Sequence, residues 1–144
     1  MTTHRPPGRS QAFVDTGAYY ALTDAKDPNH TAARSIATRV GKERWRLFTT
    51  NMILAETHAL VLARVGRGVA LRVLQEIDRS AVTVVRVTPD DENRAREILV
   101  TYDDKNFSLT DATSFVVMER LSTPYAFTFD KNFHQYGLEV LKPE

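Results

Sequence analysis

Gln11-Ala12-Phe13-Val14-Asp15-Thr16-Gly17 begins with a short apolar run that stops on an acid. An apolar run of that length, bounded by a turn-forming cluster, reads as a buried strand over 11–15. A short helical pattern over 17–24 follows at once. The same alternation continues outward. A helix is predicted over 28–41, with Pro28 in its first turn and Gly41 as its stop. A strand over 45–50 leads into a strongly apolar helix over 51–65, with Thr50 placed to cap it. Gly66-Arg67-Gly68 is too short for a dinucleotide-binding loop and reads as a helix–helix connection into a helix over 67–80. A β-branched strand over 82–87, helices over 89–103 and 108–122, a strand over 125–129, a helical turn over 130–137 and a last strand over 138–141 complete the pattern. Strands alternating with helices imply a three-layer α/β/α domain whose central, mostly parallel β-sheet is flanked by helices. Ligands of such sheets sit beyond the carboxyl ends of the strands.

The 144 residues suit one domain, expected over 11–144, behind a flexible N-terminal tail over 1–10 that contains Pro6-Pro7-Gly8. The absence of cysteine excludes disulfides, thiolate zinc sites, iron–sulfur clusters and cysteine nucleophiles, and suits a cytoplasmic protein. The polar, basic start does not resemble a signal peptide. No apolar run approaches the roughly 20 residues that cross a bilayer, so no membrane partner is expected. A net charge of +1, from 19 basic and 18 acidic residues, neither demands nor forbids nucleic acid. Two basic stretches, Arg34/Arg39/Lys42/Arg44/Arg46 and Arg64/Arg67/Arg72, read either as solvated helix faces or as a phosphate-tracking surface.

Four acids carry the chemistry. Asp15 and Asp130 each end a strand, and each could simply cap the helix after it. Asp111 stands three residues after Ser108, the spacing of a capping box, yet it shares a helix stripe with Phe115 and Met118. Glu56 shares a helix face with Met52, Ile53, Ala59, Leu60 and Ala63, whereas Thr57, His58 and Arg64 read as the solvated side. A carboxylate amid an apolar face is costly unless a cation or donor meets it. Carboxylate oxygens converging in this way suit a hard divalent cation. The histidines show no metal spacing, and His30, near a helix start, is the one of interest. No nucleophile elbow and no P-loop is present.

Four ordered segments together resemble the PIN domain, and within it the VapC-type toxin ribonucleases: Phe13-Val14-Asp15-Thr16, Thr49-Thr50 through Leu54-Ala55-Glu56, Ser108-Leu109-Thr110-Asp111-Ala112, and Thr128-Phe129-Asp130 with Phe133. The resemblance spans about residues 11 to 141. It implies a Mg²⁺- or Mn²⁺-dependent endoribonuclease that leaves 5′-phosphate and 3′-hydroxyl ends, often a homodimer, neutralised by a small antitoxin. It assigns catalysis to Asp15, Glu56, Asp111 and Asp130, metal ligation to Asp15, Asp111 and Asp130, and hydroxyl support to Thr16, Thr50 and Thr110. Asp27-Pro28-Asn29-His30 resembles the segment before the family's second helix, where its role is structural. The chain departs from the pattern at Asn132, where many relatives carry a further acid, which leaves the number of metals open; Asp103 and Asp104 could supply one or form a polar loop. The alternative is a catalytically weak PIN fold that binds RNA or a partner protein. A phosphatase of the haloacid dehalogenase type would need a second Asp at position 17, where Gly17 stands.

Overall fold

The computed structural model describes residues 10–144, so the tail expected over 1–10 lies almost wholly outside the described residues. The elements run β1 (Gln11–Val14), α1 (Thr16–Thr23), α2 (His30–Lys42), β2 (Arg46–Thr50), α3 (Asn51–Arg64), α4 (Arg67–Arg79), β3 (Thr83–Val85), α5 (Pro89–Thr101), α6 (Leu109–Arg120), β4 (Tyr125–Phe127), α7 (Lys131–Tyr136) and β5 (Glu139–Val140). One sheet has the order β3-β2-β1-β4-β5, and every pair in it is parallel. The three-layer expectation therefore holds.

Side chains alternate across the pleat and build the core on both faces. Ala12 and Val14 of β1 turn toward Ala18, Ala33 and Ile36 of α1 and α2. Phe13 turns the other way, toward Phe115, Met118 and Phe133 of α6 and α7. A smaller cluster of Val61, Ala70, Val73 and Ile77 joins the α3–α4 hairpin to Tyr20 of α1. Among the described residues, no helix is long and apolar enough to cross a membrane.

Several boundaries differ from the sequence pattern for local reasons. Helix α2 starts at His30 because Asp27 holds the preceding turn: its Oδ1 accepts from Asn29 N–H at 2.8 Å and its carbonyl from His30 N–H at 3.0 Å. Pro28 thus lies before the helix, and His30 ties α2 to α1 through an Nδ1 contact with the Ala21 carbonyl at 2.7 Å. Gly41 does not stop α2; the reversal falls on Arg44, which takes a φ of 55°. Strand β3 is shorter than expected because Asn51 Oδ1 takes Val87 N–H at 2.9 Å, drawing the chain off the sheet edge. Gly137, at φ 107°, is the left-handed cap that ends α7.

Helices α5 and α6 are each opened by a full capping box, Thr88 with Asp91 and Ser108 with Asp111. Asp91 is buried and also receives both arms of the Arg120 guanidinium, at 3.0 and 2.8 Å, which fastens α5 to α6. Burial pushes the Asp91 carboxyl up, but Arg120 and the Thr88 backbone outweigh it and hold the group below its ordinary value.

Candidate active site

The carboxyl ends of β1, β2 and β4 meet on one edge of the sheet, and each delivers a polar side chain there. Asp15 follows β1 and is 6% exposed. Its side chain makes no cap for α1. Instead its Oδ2 accepts from the Thr128 hydroxyl at 2.8 Å. The capping alternative thus fails for Asp15. Burial, above all, raises its carboxyl from 3.8 to about 7; the Thr128 hydroxyl and the Thr16 backbone oppose the rise, and the charges of Asp111 and Glu56 add to it.

Asp111 serves two ends at once. It closes the Ser108 capping box, accepting the Ser108 N–H on Oδ2 at 3.0 Å, and the same oxygen accepts from Asn132 Nδ2 at 3.0 Å. Burial raises its carboxyl too; the Ser108 backbone and the Asn132 amide pull it back, and the charge of Asp130 pushes the other way. Asp130 is half-buried and caps α7, its Oδ1 accepting Asn132 N–H at 2.9 Å. All four predicted acids are therefore linked by mutual repulsion: Asp15 with Asp111 and Glu56, and Asp111 with Asp130.

Glu56 needs a correction. It is exposed, and the buried stripe of α3 is Ile53, Thr57 and Val61. The helix is apolar nearly all round, so its periodicity does not select the inward face; a threonine, cheaper to bury than a carboxylate, takes that place. Val61 is likewise fully buried in the core. Glu56 reaches the site from the rim, felt by Asp15 through charge.

The hydroxyls divide. Thr16 is buried, and its Oγ1 has no hydrogen-bond partner. Thr50 uses its side chain to cap α3, accepting from Ile53 N–H at 3.2 Å. Thr110 is half-buried in the first turn of α6, where its carbonyl receives the hydroxyls of Thr113 and Ser114. Asp103 and Asp104 are exposed, and Asp104 pairs with Lys105 at 3.2 Å, as in a polar loop. Sequence reasoning overlooked Thr128 as a site residue. It is 1% exposed and bridges the two strand ends, donating to Asp15 and accepting from Asp130 N–H at 3.0 Å. A threonine two residues before an acid was its only signal.

Among the described residues, no group of three acidic or histidine side chains is gathered tightly enough to enclose a metal ion. The donor set still fits a hard divalent cation. It consists of carboxylate oxygens that repel one another, beside the buried and unpartnered Thr16 hydroxyl.

The family model of the PIN domain matches residues 12–138. The chain is similar to the 23S rRNA-specific endonuclease VapC20 of Mycobacterium tuberculosis, 36% identical over 133 residues, which are 92% of this chain and 98% of that protein. It is also similar to a VapC ribonuclease of Archaeoglobus fulgidus, 34% identical over 125 residues, 85% of this chain and 78% of that one. The crystal structure of the M. tuberculosis VapC20, a sarcin–ricin loop cleaving toxin, superposes with a TM-score of 0.84 at 34% identity, covering 93% of this chain and 100% of that one.

Proposed function

The chain belongs to the PIN domain family, and from that premise we propose that it is a divalent-metal-dependent endoribonuclease acting in the cytoplasm as the toxin of a type II toxin–antitoxin pair. Its VapC-type relatives are ribonucleases. The observation that carries the reading is the buried Asp15 carboxyl, raised to about 7 beside the charges of Asp111 and Glu56. Nothing in helix capping requires that arrangement; a bound cation relieves it. We read residues 11–144 as one domain.

Asp15, Asp111 and Asp130 would hold the ion, Mg²⁺ or Mn²⁺, with Thr16 offering its hydroxyl. When bound, the ion supplies a lowered pKa for a coordinated water and charge neutralisation at the phosphodiester. The chain's own contribution is order. Thr128 fixes the Asp15 carboxylate, and Ser108 and Asn132 fix that of Asp111. Glu56, exposed at the rim, is free to accept the proton of an attacking water. The neutral Asn132 amide donates where a further acid would repel Asp111, which supports a single ion. The test is RNA cleavage by the purified protein. It should require Mg²⁺ or Mn²⁺ and stop in EDTA; 23S rRNA, the target named for the mycobacterial relative, is the substrate to assay first. Cleavage that continues undiminished in EDTA would refute the reading.

Two surfaces support protein partners. The acidic edge suits an antitoxin arginine, whose fork matches carboxylates. A cleft of about 540 Å³ between α1, α2, α4 and β2, lined by Leu22, Val40, Leu47 and Val73, suits the apolar face of the same partner. On the α3–α4 hairpin, Leu62, Val65 and Leu71 are each 44–45% exposed, which supports a homodimer. Light scattering at micromolar concentration should give twice the chain mass, and a monomer throughout would count against it.

A further inference from the structure

A second depression lies at the same edge of the sheet, on the β3 side of the acids. It has a volume of about 370 Å³, and Asn51, Leu54, His58, Leu74, Asp78 and Arg86 line it. That falls within the range of small-molecule sites, about 300–1,000 Å³. Counting on from the Phe13↔Phe48 pairing puts Asp15 level with Thr50, and Thr50 pairs with Val85. Arg86 therefore stands one residue past the level of Asp15, two strands away. At a spacing of about 4.8 Å per strand, that is about 10 Å along the edge.

Four of the basic residues in the two basic stretches lie elsewhere or are engaged. Arg46 begins β2, and Arg44 precedes it, so both lie at the amino edge, opposite the acids. Arg39 is taken by Glu43 and the Lys142 carbonyl, and Arg64 lies over the Tyr20 ring. Of the stretch from Arg34 to Arg46, Arg44 and Arg46 thus lie away from the acids, at the amino edge of the sheet. Arg86 is exposed and, among the described residues, forms no ion pair or hydrogen bond. The backbone that carries it is pinned by Asn51, whose Oδ1 holds Val87 N–H.

We propose that this pocket seats a nucleotide of the RNA strand flanking the scissile phosphodiester, with Arg86 on its phosphate and its base over Leu54 and Leu74. The proposal rests on the ribonuclease reading above. Asp78, which also lines the pocket, repels a phosphate from its side and leaves an acceptor for an exocyclic amino group; Asn51 and His58 border the base. Arg86 is a positioning residue here, since it holds a flanking phosphate and touches none of the reacting atoms.

The test compares parent, Arg86→Ala and Arg86→Lys on two substrates in Mg²⁺: a single-stranded RNA octamer, and a dinucleotide with only the scissile phosphodiester. On the octamer, Arg86→Ala should raise KM about 5–20-fold with kcat kept, and lower the slope of log(kcat/KM) against log salt by about 0.7–1, one phosphate contact. Arg86→Lys should keep the slope, and the dinucleotide should be cut equally by all three. An unchanged KM and salt slope in Arg86→Ala, with an active parent, would overturn the subsite alone, as would equal losses on both substrates. A parent that cleaves neither RNA nor dinucleotide would overturn the ribonuclease reading and the subsite with it.

Discussion

Asp15→Asn should abolish RNA cleavage and, in EDTA, leave the protein more stable than its parent. Activity should fall by at least about 10²–10³-fold, the loss that follows removal of one group preorganised around transition-state charge. Asp111→Asn should fall with it. The stability change has a definite sign. The folded Asp15 carboxyl titrates near 7 and the unfolded one near 3.8, so between those values the native state binds more protons than the unfolded chain. Stability of the metal-free parent therefore drops as pH rises from about 4 to 7 and levels off above, a cost on the order of a few kcal/mol. Asp15→Asn lacks that cost, so its advantage should widen across this window. Mn²⁺ reverses the order, because it binds the deprotonated site and stabilises by mass action, about 2.7 kcal/mol at a hundredfold excess over its dissociation constant. Thermal melts of both proteins at pH 4.5 and 7.5, with EDTA and with Mn²⁺, check all of this. A parent that is the more stable of the two in EDTA at pH 7.5 would mean that Asp15 is no strained ligand.

Phe115→Ala should cost about 3–5 kcal/mol of folding stability, the usual loss for a buried ring truncated to a methyl. Phe115 is fully buried, with the Phe107 and Phe133 rings edge-on to it at 5.1 Å and Tyr136 stacked at 4.4 Å. It sits one turn beyond Asp111, and Phe133 follows Asn132, so the same aromatic contact holds α6 and α7 in the relation that lets Asn132 reach Asp111. Phe115→Ala should thus weaken Mn²⁺ stabilisation as well, whereas Phe115→Leu should keep most of both. Urea unfolding gives the first quantity, and a loss under 1 kcal/mol would contradict the packing described.

The strand–acid–helix units could be read from residues because they are local. A short apolar run ending in Asp15, or Ser108 three places before Asp111, carries its own explanation. The inward face of α3 could not be read, since Ala55, Ala59 and Ala63 blur its periodicity and the choice of Thr57 over Glu56 depends on what packs against it. Thr128 was hidden for a similar reason: its role is a bond to Asp15 across the sheet. Asn132 was visible as a departure, but that its amide would hold Asp111 needed the approach of α7 to α6.

The pairing of β1 with β4 has a consequence during synthesis. Asp15 and Thr128 are 113 positions apart, and β1 can pair with β2 long before β4 leaves the ribosome. Until it does, the inner edge of β1 is bare, Asp15 has no Thr128, and Asp130 does not exist. At about 5–20 residues per second, that interval lasts several seconds. On the proposed site, a nascent chain, or one truncated by a premature stop before β4, should therefore be inert toward RNA: activity should arise only once β4 has emerged and paired with β1.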